Sequence, residues 1–172
     1  MILTEPTPNP HAFKFIARDK LVGEGSVWYD IDLAIKGTDF IKKLFRIAGV
    51  RFALLQDNSI TITKYQQWDW DEMKPKVRRV METDTVFIET GETDIECTDE
   101  ICCAVRSIIK NEIRPAVQLD GGDVKFVRFH EGVVELYMQG SCWGCPNHEA
   151  TIGAVYNKLA SRIPEIQQVK IL

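Results

Sequence analysis

Polar and apolar residues alternate along "AFKFIA" at 12–17, the period of a strand. A loop with two glycines follows, then a short aromatic segment around Val27, Trp28 and Tyr29. The period changes after Thr38. Phe40, Ile41, Leu44, Phe45 and Ala48 recur at helical spacing, Thr38 or Asp39 can cap a helix over 39–48, and Gly49 stops it. "VRFALL" and "SITIT" flank "QDN", a hairpin signal. Asp69 opens a second helical stretch whose apolar face is Trp70, Met73, Val77, Val80 and Met81. Pro75 inside it predicts a kink or a late start. Residues 1–88 therefore predict β-β-α-β-β-α.

Residues 89–98 carry acids and no period, and read as a linker. Beyond them Thr98 is the expected cap of a helix that runs to about Arg114, where Pro115 follows. Its stripe is Ile101, Val105, Ile108 and Ile113. "DGGD" at 120–123 reads as a tight turn with a glycine at positive φ. "VKFVRF" and "VVELYM", joined by "HEG", form a hairpin. A helix over 148–162 carries Ile152, Val155, Tyr156, Leu159 and Ile163 on one face, and "QQVKIL" closes the chain as a strand. Residues 99–172 thus predict α-β-β-α-β. The expected class is α+β, with two small domains at 1–88 and 99–172.

Composition fits this picture: 45% hydrophobic and 27% charged residues are ordinary for a globular chain. No apolar run reaches the roughly 18–20 residues of a membrane span, and "MILTEPTPNP" lacks the basic and apolar regions of a signal peptide. The net charge of −4 is concentrated: residues 89–100 hold six acids and no base, while the stretches on either side are nearly neutral. That distribution gives no basic footprint for nucleic acid. The basic residues Lys74, Lys76, Arg78 and Arg79 read as a solvated helix face. No Ser-His-Asp set, phosphate loop or dinucleotide fingerprint is present, so the expectation is a binding or delivery protein rather than an enzyme.

The chemistry lies in "GSCWGCPNH" at 140–148. Cys142 and Cys145 sit between the end of a strand and the start of a helix. Outward N–H groups and the helix dipole there predict a lowered thiol pKa, and Gly140 and Gly144 allow close approach of a bulky ligand. Three chemistries compete. A thioredoxin-type redox pair needs further strands, and only 27 residues follow Cys145. A zinc site needs four ligands. His148 could be a third, although its spacing to Ile152, Val155 and Leu159 places it on a core face. A fourth would come from Cys97, Cys102 or Cys103, of which Cys102 reads as a small core residue and Cys103 as exposed beside Arg106 and Lys110. An iron–sulfur cluster takes four thiolates. One chain offers two well-placed ones and a two-fold dimer offers four, which makes the pair half of a site. Trp143 would then shield the cluster or pack at the interface.

Long stretches of the chain carry a resemblance. "IRPAVQLDGGDVKFV", "GVVELYMQGSCWGCP" and "IPEIQQV" resemble the NifU-like (Nfu) C-terminal domain. "TEPTPNPHAFKFI", "LFRIAGVRFALLQDNSITITK" and "WDWDEMKP" resemble the Nfu N-terminal domain, in the family's order. The resemblance implies a [4Fe-4S] cluster, rather than [2Fe-2S], held between the subunits of a homodimer by Cys142 and Cys145. It implies receipt of the cluster from upstream assembly proteins and transfer to apo iron–sulfur clients, with neither membrane nor nucleic acid as partner. The first domain, which contains no cysteine, would assist recognition. The expected compartment is the cytoplasm for a bacterial protein, or the mitochondrial matrix for a mature organellar form. The chain departs from the family at Asn147-His148, where small hydroxyl residues are usual, and in the Cys102-Cys103 pair.

Overall fold

Cap and turn residues set the boundaries of several elements. A computed structural model describes residues 1–84, 86–90 and 99–172. Cys97, Thr98 and all but the first two residues of the expected linker lie outside the described residues.

In the first domain, β1 (Leu3–Pro6), β2 (Ala12–Ile16), β3 (Ser26–Tyr29), β4 (Val50–Gln56) and β5 (Ser59–Lys64) form one antiparallel sheet, in the order β1-β2-β5-β4-β3. Helices α1 (Ile31–Ile35), α2 (Asp39–Phe45) and α3 (Trp70–Thr83) complete it. Thr38 caps α2 and Asp69 caps α3, as expected from sequence. The predicted β-β-α-β-β-α lacked β1 and α1. α2 also stops at Phe45, which leaves Ala48 exposed in the turn before Gly49. α3 neither starts late nor breaks at Pro75 but runs through it. Met73, Val77 and Met81 pack with Phe40, Ile41 and Leu44 against Phe15, Ala53, Leu55, Ile60 and Ile62 on one sheet face. On the basic face of α3, the Lys74 ammonium sits 4.0 Å from the Phe13 ring and Arg78 donates to Thr4 Oγ1.

The second domain opens with α4 (Glu100–Ile108), capped not by the expected Thr98 but by Asp99, whose side chain accepts from the Ile101 N–H. The helix does not end at Pro115. It passes through a π-helical turn, Ile109–Ile113, into α5 (Arg114–Leu119), where Pro115 sits in the first turn and its missing N–H costs nothing. The apolar positions explain the π turn. Ile101, Val105, Ile109, Ile113 and Val117 repeat every four residues, and all face the core. Each such step overshoots an α-helical turn by about 40°, so a wider turn is needed to keep the stripe on one side.

β6 (Gly122–His130) and β7 (Val133–Gly140) form the expected hairpin through Glu131-Gly132, both at positive φ. α6 (His148–Ala160) then returns the chain to β8 (Gln168–Ile171), which pairs parallel to β7. α4, the π turn and α6 bury Val105, Ile109, Val155 and Leu159 against Val124, Val134 and Leu136.

The domains touch across the second face of the first sheet. An irregularity in the β4–β5 register falls between Val50 and Phe52. Such a bulge re-aims side chains, and Arg51 and Phe52 both lean towards the second domain. Leu54 is fully buried there, against Gly140. Gln56 Nε2 donates to the Gly122 carbonyl at 2.7 Å, and Lys14 Nζ reaches the Gln118 carbonyl at 3.2 Å.

Candidate functional site

The paired cysteines stand where the sequence places them, in the loop from β7 to α6. Gly140, at φ +66, turns the chain off the strand. The "DGGD" turn supports that loop from beneath: the Ser141 hydroxyl donates to the Asp120 carbonyl at 2.6 Å and the Ser141 N–H to the Gly121 carbonyl at 3.1 Å. Gly121 has φ +77, which supports the tight-turn reading. Gly122 has a different role. A Cβ built there would collide with Cys142 Sγ, so the thiol rests on bare backbone.

Cys142 is half-buried against the second core, Cys145 is buried at 6% exposure, and no disulfide joins them. Gly144, at φ +65, has open space where a side chain would stand, which leaves one side of the loop accessible to a bulky ligand. The expectation of a lowered thiol pKa is corrected for Cys142. Burial pushes it up to about 12, outweighing the hydrogen bond with Ser141, while Cys145, Asp120 and Asp123 add unfavourable negative charge. The sequence showed the helix start but not the depth of the thiol beneath it.

His148 is exposed rather than on a core face, and its Nδ1 lies 2.9 Å from the Cys145 carbonyl oxygen. Cys102 is half-buried and Cys103 exposed, both on α4. Among the described residues, no group of three or more His, Cys, Asp or Glu side chains is placed to hold a metal ion. The second domain's α-β-β-α-β order, with a single strand after α6, differs from what a thioredoxin-type site requires.

Trp143 is 38% exposed and packs on the first domain. The Phe52 ring meets it edge-on at 4.7 Å between centroids, Trp28 stacks on Phe52 at 4.7 Å, and the Arg51 guanidinium lies 4.4 Å from its ring centre. Asn9 Nδ2 donates to the carbonyls of Ser141 and Trp143. Sequence reasoning missed Asn9, Arg51 and Phe52 as neighbours of the loop. Polar residues on the sheet face towards the second domain, such as Gln56, Thr61 and Thr63, suit solvent as well as a covering domain, so no local signal marked it.

Fold and site together define a two-domain α+β protein built around one dithiol loop. Residues 2–86 match the family described as scaffold protein Nfu/NifU N terminal, and residues 105–170 match the NifU-like domain. The protein described as "NFU1 iron-sulfur cluster scaffold homolog, mitochondrial" from Drosophila grimshawi is 35% identical over 184 residues, covering 98% of this chain and 60% of its own length. Its counterpart of the same description from Homo sapiens is 32% identical over 179 residues, covering 98% and 70%. A solution structure of a NifU-like protein from Saccharomyces cerevisiae is 25% identical, with a TM-score of 0.43, covering 46% of this chain and 73% of that one. The chain belongs to the NifU-like (Nfu) family. It spans 60–64% of the length of the fruit-fly relatives. Among the described residues no helix is long and apolar enough to cross a membrane.

Proposed function

We propose that the protein is an iron–sulfur cluster scaffold and carrier. It binds a [4Fe-4S] cluster through Cys142 and Cys145 of two copies and passes it to apo-proteins. The observation that carries this reading is the half-complete ligand set: two thiols on one loop beside the open face of Gly144, with no third candidate side chain gathered around them among the described residues. Four thiolates are the usual complement of such a cluster, and a two-fold pair of loops supplies them. The relatives' description as iron–sulfur cluster scaffolds supports the cargo, and their mitochondrial label favours the matrix as the compartment.

The cluster is cargo, so transfer is ligand exchange rather than catalysis. Each step breaks one bond from iron to Cys142 or Cys145 sulfur and forms one to a client thiolate. The released cysteine takes up the proton the client thiol gave, and no electron changes hands. Residues 99–172 would form the cluster-binding unit, 89–98 the joint, and 1–88 the unit that recognises partners.

The test is anaerobic reconstitution with iron and sulfide, followed by size exclusion with absorbance near about 400 nm and metal analysis. A brown dimer with about four irons, lost in Cys142→Ser, is the expected result. A colourless monomer that forms a reversible Cys142–Cys145 disulfide would instead establish an oxidoreductase.

A further inference from the structure

Asn9 belongs to the first domain, in the turn between β1 and β2, and is 1% exposed. Its Oδ1 accepts the His11 N–H at 2.9 Å and so closes its own turn. Its Nδ2 donates to two carbonyls of the second domain, Ser141 at 3.0 Å and Trp143 at 3.2 Å. Those residues stand on either side of Cys142. Both protons of the amide are used, and carbonyl oxygens only accept, so the amide has one satisfying orientation. Arg51 and Phe52 hold the Trp143 ring from the same domain. The middle of the thiol loop is thereby pinned at its backbone and at its largest side chain.

In this docked arrangement Cys142 Sγ lies on Gly122 and Cys145 is buried. Cys142 Sγ is turned into its own domain, onto Gly122 and the core there, so a cluster shared with a second copy requires that thiol to turn outward. A loop pinned at the Ser141 and Trp143 carbonyls and at the Trp143 ring resists that turn, so the pinned and loaded arrangements compete. A contact made in only one of two states shifts the balance towards that state.

We propose that Asn9 is a positioning residue of the thiol loop, whose paired amide hydrogen bonds hold the metal-free loop against the first domain and, by re-forming as the cluster leaves, favour its release. The inference rests on Cys142 and Cys145 being the cluster ligands. Asn9→Asp isolates the role. It keeps the size of the side chain and the bond to His11, but turns an acceptor towards two carbonyls. Thr7→Val is the control. The Thr7 hydroxyl lies within hydrogen-bond reach of the Asn9 and Ala12 carbonyls and accepts the Asn9 N–H, so it shapes the same turn with no hydrogen bond to residues 141–145.

The experiment alkylates the metal-free full-length chain with iodoacetamide and follows each cysteine by mass spectrometry. It then measures loss of the reconstituted chromophore to reduced glutathione. Asn9→Asp is expected to alkylate at Cys142 about tenfold faster than wild type and to lose its cluster several-fold more slowly, with Thr7→Val unchanged in both. Equal alkylation in wild type and Asn9→Asp overturns the proposal, as does Thr7→Val behaving like Asn9→Asp. Equal rates of cluster loss overturn its release half. A wild-type protein that forms no chromophore overturns the cluster reading and the release half with it, and alkylation alone then decides the docking.

Discussion

Arg114 and Asp123 form a two-pronged ion pair in the floor of the thiol loop, with Nε at 2.8 Å and Nη2 at 2.9 Å from the two carboxylate oxygens. Asp123 is fully buried, and the Ser26 hydroxyl of the first domain donates to the same carboxylate. The pair fixes the first residue of α5 to the start of β6, one residue from the glycine on which Cys142 rests. It also reaches across the domain contact.

Arg114→Met removes the counter-charge and leaves Asp123 enclosed. Breaking such a pair from one side costs about 3–5 kcal/mol. The expected result is a large fall in the urea midpoint at neutral pH. Asp123→Asn, which leaves a neutral group able to bond Ser26, should cost less. Equal midpoints for wild type and Arg114→Met would show that the pair adds nothing to stability.

Gly122→Ala tests the seat of the thiol. The added methyl meets Cys142 Sγ and approaches Val117 Cγ1 at 3.0 Å. Crowding of this kind costs about 1–3 kcal/mol. The cheaper relief is rotation of Cys142 outward, so the variant should remain folded and alkylate faster at Cys142 than wild type. Unchanged alkylation with unchanged Tm would show that the site has slack.

The π turn makes a prediction about deletion. Removing Asn111, an exposed residue inside Ile109–Ile113, shortens the wide turn to an ordinary helical one. The flanking residues Val105 and Arg114 then keep their faces, and the cost should stay below about 1.5 kcal/mol. Removing Asn157, equally exposed but within α6, turns the rest of that helix by about 100° and takes Leu159 off the core. That deletion should cost at least about 2–5 kcal/mol. Thermal unfolding of the two variants decides it, and equal losses would refute the argument.

What was readable in the chain was local. Thr38 and Asp69 announced their helix starts because a cap depends on one or two residues, whereas Gly49, at φ +100, lies in the turn beyond α2 and does not mark its end. The hairpins were readable from their strands and turn residues together, and α6 from period alone. α1 was not. Ile31, Leu33 and Ile35 alternate like a strand and all remain exposed, so only the Asp30 cap marks that helix. β1 was missed because four residues ending in Pro6 on a sheet edge carry no alternation. The thiol pair was plain in the sequence. Its surroundings were not, since Asn9 meets Ser141 across 132 positions of chain, and no local pattern encodes such a contact.

The depth of Cys142 gives a pH dependence with a definite sign. Its thiol is raised from an ordinary 9.0 to about 12, chiefly by burial. When the chain of the metal-free protein unfolds, the thiol regains its ordinary value. Below that value both states hold the proton, and the stabilisation from burying the neutral thiol is fully present. Between about 9 and about 12 the unfolded chain releases the proton and the folded one does not, so stability falls as pH rises. Thiolate is also the form that alkylates. The rate at Cys142 should therefore keep climbing through about pH 10 without the plateau an ordinary thiol shows near its own pKa. The measurement is Tm for wild type and Cys142→Ala across this range, beside per-cysteine alkylation rates. The wild-type advantage should narrow steadily above about pH 9. A constant difference, or a plateau in the Cys142 rate near pH 9, would mean that the loop spends its time undocked with the thiol in water.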